Sequence, residues 1–204
     1  MSALRKTQIA PLTDAAPFAI RAERASDAIA REALLDACFG ANRHARSCQR
    51  LRDGRAPAEG LALSAVAQDG MRGRLVGTIR LWHVSAGGVR ALVLGPLAVD
   101  PMCRKLGIGG ALMNRALAAA KARGHGAVVL LGDAAYYARF DFSGRKTGEL
   151  SLPGPFERDR LLGLELREGA LDGAWGMIVP TGKAAPQAKP RFAGKARKLA
   201  PHAA

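Results

Sequence analysis

The stretch LGPLAVDPMCRKLGIGGALM, residues 94–113, decides how the rest of the chain is read. It runs from an apolar strand, Leu94–Val99, through a basic turn around Arg104 and Lys105, into the start of a helix at Ile108. Gly107, Gly109 and Gly110 let backbone N–H groups approach a bound atom closely, and a helix N-terminus adds its positive end, so the turn suits an anion. Inside the strand, Gly95-Pro96 interrupts the ladder, because proline donates no N–H and glycine takes dihedrals that other residues avoid. The pair predicts a bulge, which either only bends an edge strand or frees backbone groups near Leu97–Val99 for a ligand.

Outward from this stretch the pattern is that of a mixed sheet. Phe18–Arg24 predicts a short strand, and Ser26 or Asp27 is placed to cap a helix ending near Phe39, with Ile29, Ala33, Leu34, Ala37 and Cys38 at helical spacing. The arginine-rich passage between Gly40 and Gly60 predicts a short helix around Ala45–Leu51, read as a solvated connector or, alternatively, as a wall beside a substrate opening. Leu61–Gln68, Arg74–Val84 and Val89–Val99 predict three strands joined by turn signals at Asp69-Gly70 and Gly87-Gly88, hence antiparallel neighbours. Ile108–Arg123 predicts a helix with Lys121 and Arg123 at its negative end and Gly124 as its stop. The apolar run Ala127–Leu131 is then a buried strand, parallel to its predecessor through a right-handed crossover. Tyr136–Phe140 predicts one or two helical turns, and Leu150–Leu152, Leu161–Leu166 and Met177–Val179 are strand-like segments that extend the sheet.

The totals fit one domain, expected over residues 18–180, between a flexible lead at 1–17 and a disordered basic Ala/Pro/Lys-rich tail at 181–204. The chain has 204 residues, 49% of them hydrophobic, and a formal charge of +14, of which six positive charges and no acid fall in the tail. Such a balance favours a polyanionic partner, whether a phosphate-bearing cofactor, nucleic acid or an anionic membrane face. Three cysteines, Cys38, Cys48 and Cys103, show neither a CxxC pair nor metal-ligand spacing, which fits reduced thiols and no metal site. No apolar run reaches 18 residues and residues 1–17 have no signal-peptide core, so the expectation is a soluble cytoplasmic protein without a membrane partner.

Two phosphate-binding motifs fail on this sequence. A dinucleotide fingerprint needs a third glycine where Leu112 stands, and two hairpins precede the turn where a βαβ unit would begin with its own strand. A Walker A loop fails because no Gly-Lys-Ser/Thr follows. What remains is Arg104-x-x-Gly107-x-Gly109, entered through Val99-Asp100-Pro101. This resembles the pyrophosphate loop, [Q/R]-x-x-G-x-[G/A], of the GNAT superfamily of acyl-CoA N-acyltransferases. With Leu94–Val99, Gly107–Met113 and Leu130–Tyr137 in order, the chain looks more narrowly like the YhbS-like N-acetyltransferases. The resemblance covers roughly Phe18–Pro180 and implies an α/β fold of α+β, GNAT-like type: a mixed, mostly antiparallel sheet, helices on its flanks, and a splayed parallel pair of strands around an acyl-CoA slot.

The resemblance also implies roles. The backbones of Leu97, Ala98 and Val99 would hold the pantetheine arm of acetyl-CoA, and Arg104, Lys105, Leu106, Gly107, Ile108 and Gly109 would wrap its pyrophosphate. Tyr137, in the position of a tyrosine that precedes Gly-Phe in the family, would protonate the departing thiolate, with a packed structural tyrosine as the plain alternative. Tyr136, one residue off, would point elsewhere, and Asp141 stands where glycine is usual. The reaction implied is transfer of an acetyl group to a primary amine by direct attack. No base is marked: Glu23, His44, Glu59, His83, Asp133 and Glu149 are scattered without a spacing argument, and Cys103, lacking a histidine partner, reads as a bystander thiol. Alternatives kept beside this reading are an acyl-CoA-binding sensor and a nucleic-acid- or ribosome-associated protein using the basic tail; a homodimer stays open, and the acceptor amine is not legible.

Overall fold

The computed structural model describes residues 17–68 and 73–186. Strands β1 (Phe18–Ala22), β2 (Ala62–Ala67), β3 (Leu75–Ala86) and β4 (Val89–Val99) pair antiparallel in that order, with helix α1 (Ala28–Phe39) between the first two in sequence. Helix α2 (Ile108–Ala122) crosses to β5 (Ala127–Leu131), which pairs with β4 in parallel. Helix α3 (Ala134–Ala138) and strands β6 (Leu150–Ser151), β7 (Leu161–Glu165) and β8 (Gly176–Pro180) follow. The sheet order is β1-β2-β3-β4-β5-β7, with β8 beside Val84–Ala86 of β3 where pairing with β2 has ended, and β6 parallel on β8. The two hairpins and the crossover therefore lie where the turn signals put them, although the Asp69-Gly70 turn itself falls outside the described residues.

Strand alternation sorts the core into two faces. Ile79, Leu81, Leu92, Leu94, Val128 and Leu130 meet Ile108, Leu112, Met113 and Ala116 of α2 on one face. Trp82, Val84, Val93 and Val129 turn to the other, against Leu51, Leu150, Leu161 and Ile178, while Leu34 and Leu35 of α1 cover Leu75 and Ala98. One glycine sets the approach of α2: a Cβ on Gly77 would sit 2.8 Å from Ile108 Cγ2 and 3.0 Å from Leu112 Cδ1. Its absence lets the first turn of α2 rest on β3. The far end closes as the sequence predicts, with Gly124 in the left-handed region at φ 77°. The N–H of Gly124 donates to the carbonyl of Lys121 and that of His125 to Ala120, a Schellman arrangement.

Three expectations are corrected. In place of one short helix at Ala45–Leu51 there are two 3-10 turns, Ala41–Ala45 and Ser47–Leu51, separated by an extended Arg46. Tertiary contacts override the helical pattern, since the Ser47 hydroxyl donates to the Pro155 carbonyl and Arg50 to that of Pro153 at 2.9 Å. Asp27 does precede α1, but its carboxylate accepts from the Arg24 N–H, from Arg21 at 2.6 and 2.8 Å, and from Ser64 at 3.0 Å rather than from the helix. Thr181–Pro186, placed in the tail by composition, run along Gly54–Ala56, with Ala185 N–H donating to Gly54 and Ala56 N–H to Lys183. The lead at 1–16 and the tail from 187 onward lie outside the described residues.

Candidate active site

The parallel pair β4–β5 holds together over only two register positions, Leu92 with Val128 and Val93 with Val129. Beyond them β5 stays with β7, Leu131 opposite Leu161 and the Gly132 N–H on the Arg160 carbonyl, whereas β4 stays with β3. The two strands therefore part and leave a slot between them. The predicted bulge lies at this fork: Ile79 faces Leu97 and Leu81 faces Leu94, so Arg80 alone spans Gly95 and Pro96. The indole N–H of Trp82 donates to the Gly95 carbonyl at 2.8 Å and fixes the bulged backbone.

Past the bulge, hydrogen-bonding direction alternates along β4. Asp100 N–H donates to the Val76 carbonyl, so Ala98 also pairs inward with Thr78, and the polar groups of Leu97 and Val99 face away from β3. The Val99 carbonyl accepts from the Cys38 thiol at 3.3 Å. The three backbones predicted to act together thus divide: Leu97 and Val99 present polar groups outward, and Ala98 instead packs its buried methyl against α1.

The basic turn is an exposed loop with two left-handed residues, Lys105 at φ 78° and Gly107 at φ 75°. The latter is the N-cap of α2, and the first helical bond runs from Ala111 N–H to the Gly107 carbonyl. Among the described residues, the N–H groups of Lys105, Gly107, Ile108, Gly109 and Gly110 reach no backbone acceptor. Five free donors at a helix N-terminus, with exposed Arg104 and Lys105 beside them, have the geometry and charge that suit an anion. Cys103 is buried in the core behind the loop.

Both tyrosines of α3 point into this region. The ring of Tyr137 lies over Gly132, where a Cβ would overlap it, and meets Tyr136 and Phe142 edge-on at 4.9 and 5.9 Å. Burial, with the neighbouring Tyr136 and Asp133, pushes the Tyr137 phenol up to about 12. Tyr136, expected to point elsewhere, brings its hydroxyl within 3.0 Å of the position a Gly109 Cβ would take, below the guanidinium of Arg139 at 4.2 Å. The short helix begins on Asp133, whose carboxylate accepts the Tyr136 N–H at 2.7 Å. The turn after it passes through Asp141, in the left-handed region at φ 64° where glycine is usual; aspartate tolerates that conformation better than most residues, so the turn survives the exchange.

A cavity of about 600 Å³ opens at the fork. Leu97 and Tyr137 are the predicted site residues that line it; Ala98, Val99 and residues 104–109 lie outside it, on the strand and the open loop. Of the six scattered candidate bases, Asp133 alone reaches the cavity, and it is occupied in capping α3. Glu23 is instead a structural anchor, its carboxylate held by Arg31 and by Arg80. His83 packs against His125. The cavity adds groups that no pattern in the sequence marks: Glu157, Arg52 and Arg160, brought in from segments far apart in the chain. The arginine-rich passage thus forms a wall of the opening.

Known proteins place this arrangement. Residues 61–143 match the acetyltransferase (GNAT) domain family. The uncharacterized N-acetyltransferase YhbS of Escherichia coli K12 is 31% identical over 162 residues, spanning 78% of this chain and 93% of that protein. The crystal structure of E. coli YhbS in complex with CoA superposes with a TM-score of 0.69 at 29% identity, over 82% of this chain and 91% of the other. A GNAT family acetyltransferase of Brucella melitensis, in complex with acetyl-CoA, does so with a TM-score of 0.53 at 28% identity, over 85% and 98%. A forked β4–β5 pair, a bulge at the fork and a donor-rich turn at the start of α2 accompany a sequence match over most of both chains, and the chain belongs to the GNAT family of N-acetyltransferases.

Proposed function

We propose that the chain binds acetyl-CoA across the fork and transfers the acetyl group directly to a primary amine. The observation that carries this is the pairing of two features: the unpaired N–H groups of Lys105 and of residues 107–110, and the outward backbone of Leu97 and Val99 beside Tyr137. The loop takes the pyrophosphate on its N–H groups, with Arg104 and Lys105 adding charge. The pantetheine amides pair with Leu97 and Val99 as an added strand would. The same outward N–H groups are placed to polarise the thioester oxygen.

In the reaction the amine nitrogen bonds to the acetyl carbon, the C–S bond breaks, and the proton lost by nitrogen ends on the CoA sulfur. A phenol at about 12 is a weak acid toward a thiolate near 8.5, and complete proton transfer between them is uphill by about 5 kcal/mol. Tyr137 therefore acts as a hydrogen-bond donor that stabilises the sulfur as it becomes negative, rather than as a source of a freely given proton. Glu157, exposed at the cavity, is the carboxylate placed to receive the amine proton.

Two-substrate kinetics test direct attack. Intersecting double-reciprocal lines and an unmodified protein mass after mixing with acetyl-CoA alone are the expected result; parallel lines with an acetylated cysteine would replace it with a covalent route. The nucleic-acid reading rests on the tail, which from residue 187 lies outside the described residues.

A further inference from the structure

The second substrate has a signature in the cavity, and the inference rests on the acetyltransferase reading above. Four arginines and two carboxylates line the space, but they are not equally engaged. Arg43 is clamped by Glu32 at 2.6 Å and Asp36 at 2.7 Å, and Arg160 lies 3.4 Å from Glu157. Arg52 has no hydrogen bond or ion pair from its guanidinium among the described residues, and its Nε is sealed from solvent without a partner. Its nearest acid in sequence, Asp53, is turned to the Gln49 amide. Arg46, also without a carboxylate partner among the described residues, lies over the Phe39 ring at 5.1 Å. Desolvation dominates at Arg52 and lowers its pKa, opposed by the nearby Cys48 and Asp53 and reinforced by the like charges of Arg43 and Arg46. Holding an unpaired guanidinium in such a place costs stability unless something else pairs it.

We infer that the cavity takes an amine that also carries a carboxylate, the class of the free amino acids, with Arg52 pairing the carboxylate while the amine reaches the thioester beside Leu97. Arg52 Nη1 lies 3.7 Å from where a side chain on Gly95 would begin. Leu97 is two residues further along the bulged strand, no more than about 7 Å away. A carboxylate hydrogen-bonded at one end and an amine in attacking distance at the other fill that span. A guanidinium fork matches a carboxylate in two parallel bonds. Asp133 and Glu157, which line the same cavity, disfavour a doubly charged phosphate ester.

The test is thiol release from acetyl-CoA by the full chain, with a panel of the free amino acids set against their decarboxylated amines, alanine with ethylamine and phenylalanine with phenethylamine. The parent protein favours carboxylated members in kcat/KM by about 30-fold, the worth of a charge-assisted bond. Arg52→Met abolishes that preference, Arg52→Lys restores part of it, and acetyl-CoA binding measured by calorimetry persists in both. Because Arg52 holds no protein group, Arg52→Met leaves Tm unchanged or raised. Equal use of amino acid and amine, a preference that survives Arg52→Met, or a loss of more than about 5 °C in Tm overturns the inference. So does acetyl-CoA binding without turnover of any amino acid, whereas absence of acetyl-CoA binding overturns the reading beneath it.

Discussion

Replacing Tyr137 with phenylalanine separates the hydroxyl from the ring. The ring supplies the packing over Gly132 and against Tyr136 and Phe142, and phenylalanine keeps all of it. The hydroxyl has no hydrogen-bond partner among the described residues, so its removal strands none, and the variant matches the parent in stability at pH 7 to within about 0.5 kcal/mol. The effect belongs to the transition state, where a donor facing a developing thiolate is worth roughly 1.5–3 kcal/mol. That converts to a loss of about 10- to 150-fold in kcat with the acetyl-CoA KM little changed. A second readout comes from titration. The folded-state pKa is raised to about 12, above the unfolded value near 10, so the contribution is complete below pH 10 and is lost as pH rises through 12. Between pH 9 and 11 this phenol removes about 1.4 kcal/mol from the parent, a decline that Tyr137→Phe does not share. Steady-state kinetics and denaturant unfolding at the two pH values measure both. A variant within twofold of the parent in kcat refutes the role given to the hydroxyl, and a variant unstable at pH 7 makes the hydroxyl a structural group instead.

Other perturbations have calculable outcomes. Gly107→Ala forces a side chain into the left-handed region where nothing within 4 Å resists it, so it costs about 1–2 kcal/mol of backbone strain and weakens acetyl-CoA binding by tenfold or more, read by unfolding and calorimetry. Asp141→Gly relieves the same conformation after α3 and raises stability by about 0.5 kcal/mol, the strain removed less the entropy glycine adds to the unfolded chain. Asp27 is held well below the usual carboxylate range, first by Arg21 and then by the Arg24 N–H and Ser64. Its contribution is present above about pH 4 and is lost as pH falls through its folded value, so Asp27→Asn destabilises the protein at pH 7 by about 2–4 kcal/mol and flattens the acid limb of its stability profile.

What could be read from sequence is what local chemistry writes. Gly95-Pro96 marks a bulge because proline and glycine interrupt a ladder wherever they stand, and the loop at Arg104–Gly109 is legible because its donors belong to consecutive residues. Gly124 ends α2 for the same local reason. The acceptor side is different. Arg52, Glu157 and Leu97 come together through strand pairing and the docking of Ser47 and Arg50 on residues 153–155, and no spacing along the chain encodes that meeting. Glu23 is one of six candidate bases with equal claims by sequence, and only its burial between Arg31 and Arg80 shows it to be structural. Residues 181–186 carry the composition of a tail, yet the open edge at Gly54–Ala56 gives their backbone partners.

The proposed function depends on the turn at the start of α2 holding the phosphates of acetyl-CoA. Calorimetric titration of acetyl-CoA into the full chain and into the Arg104→Glu, Gly107→Trp double variant tests this most directly. The expected outcome is saturable binding at one equivalent in the parent and a loss of at least about a hundredfold in the variant, whose added carboxylate and indole repel the pyrophosphate and close the cradle. Equal affinity in the two proteins would contradict it.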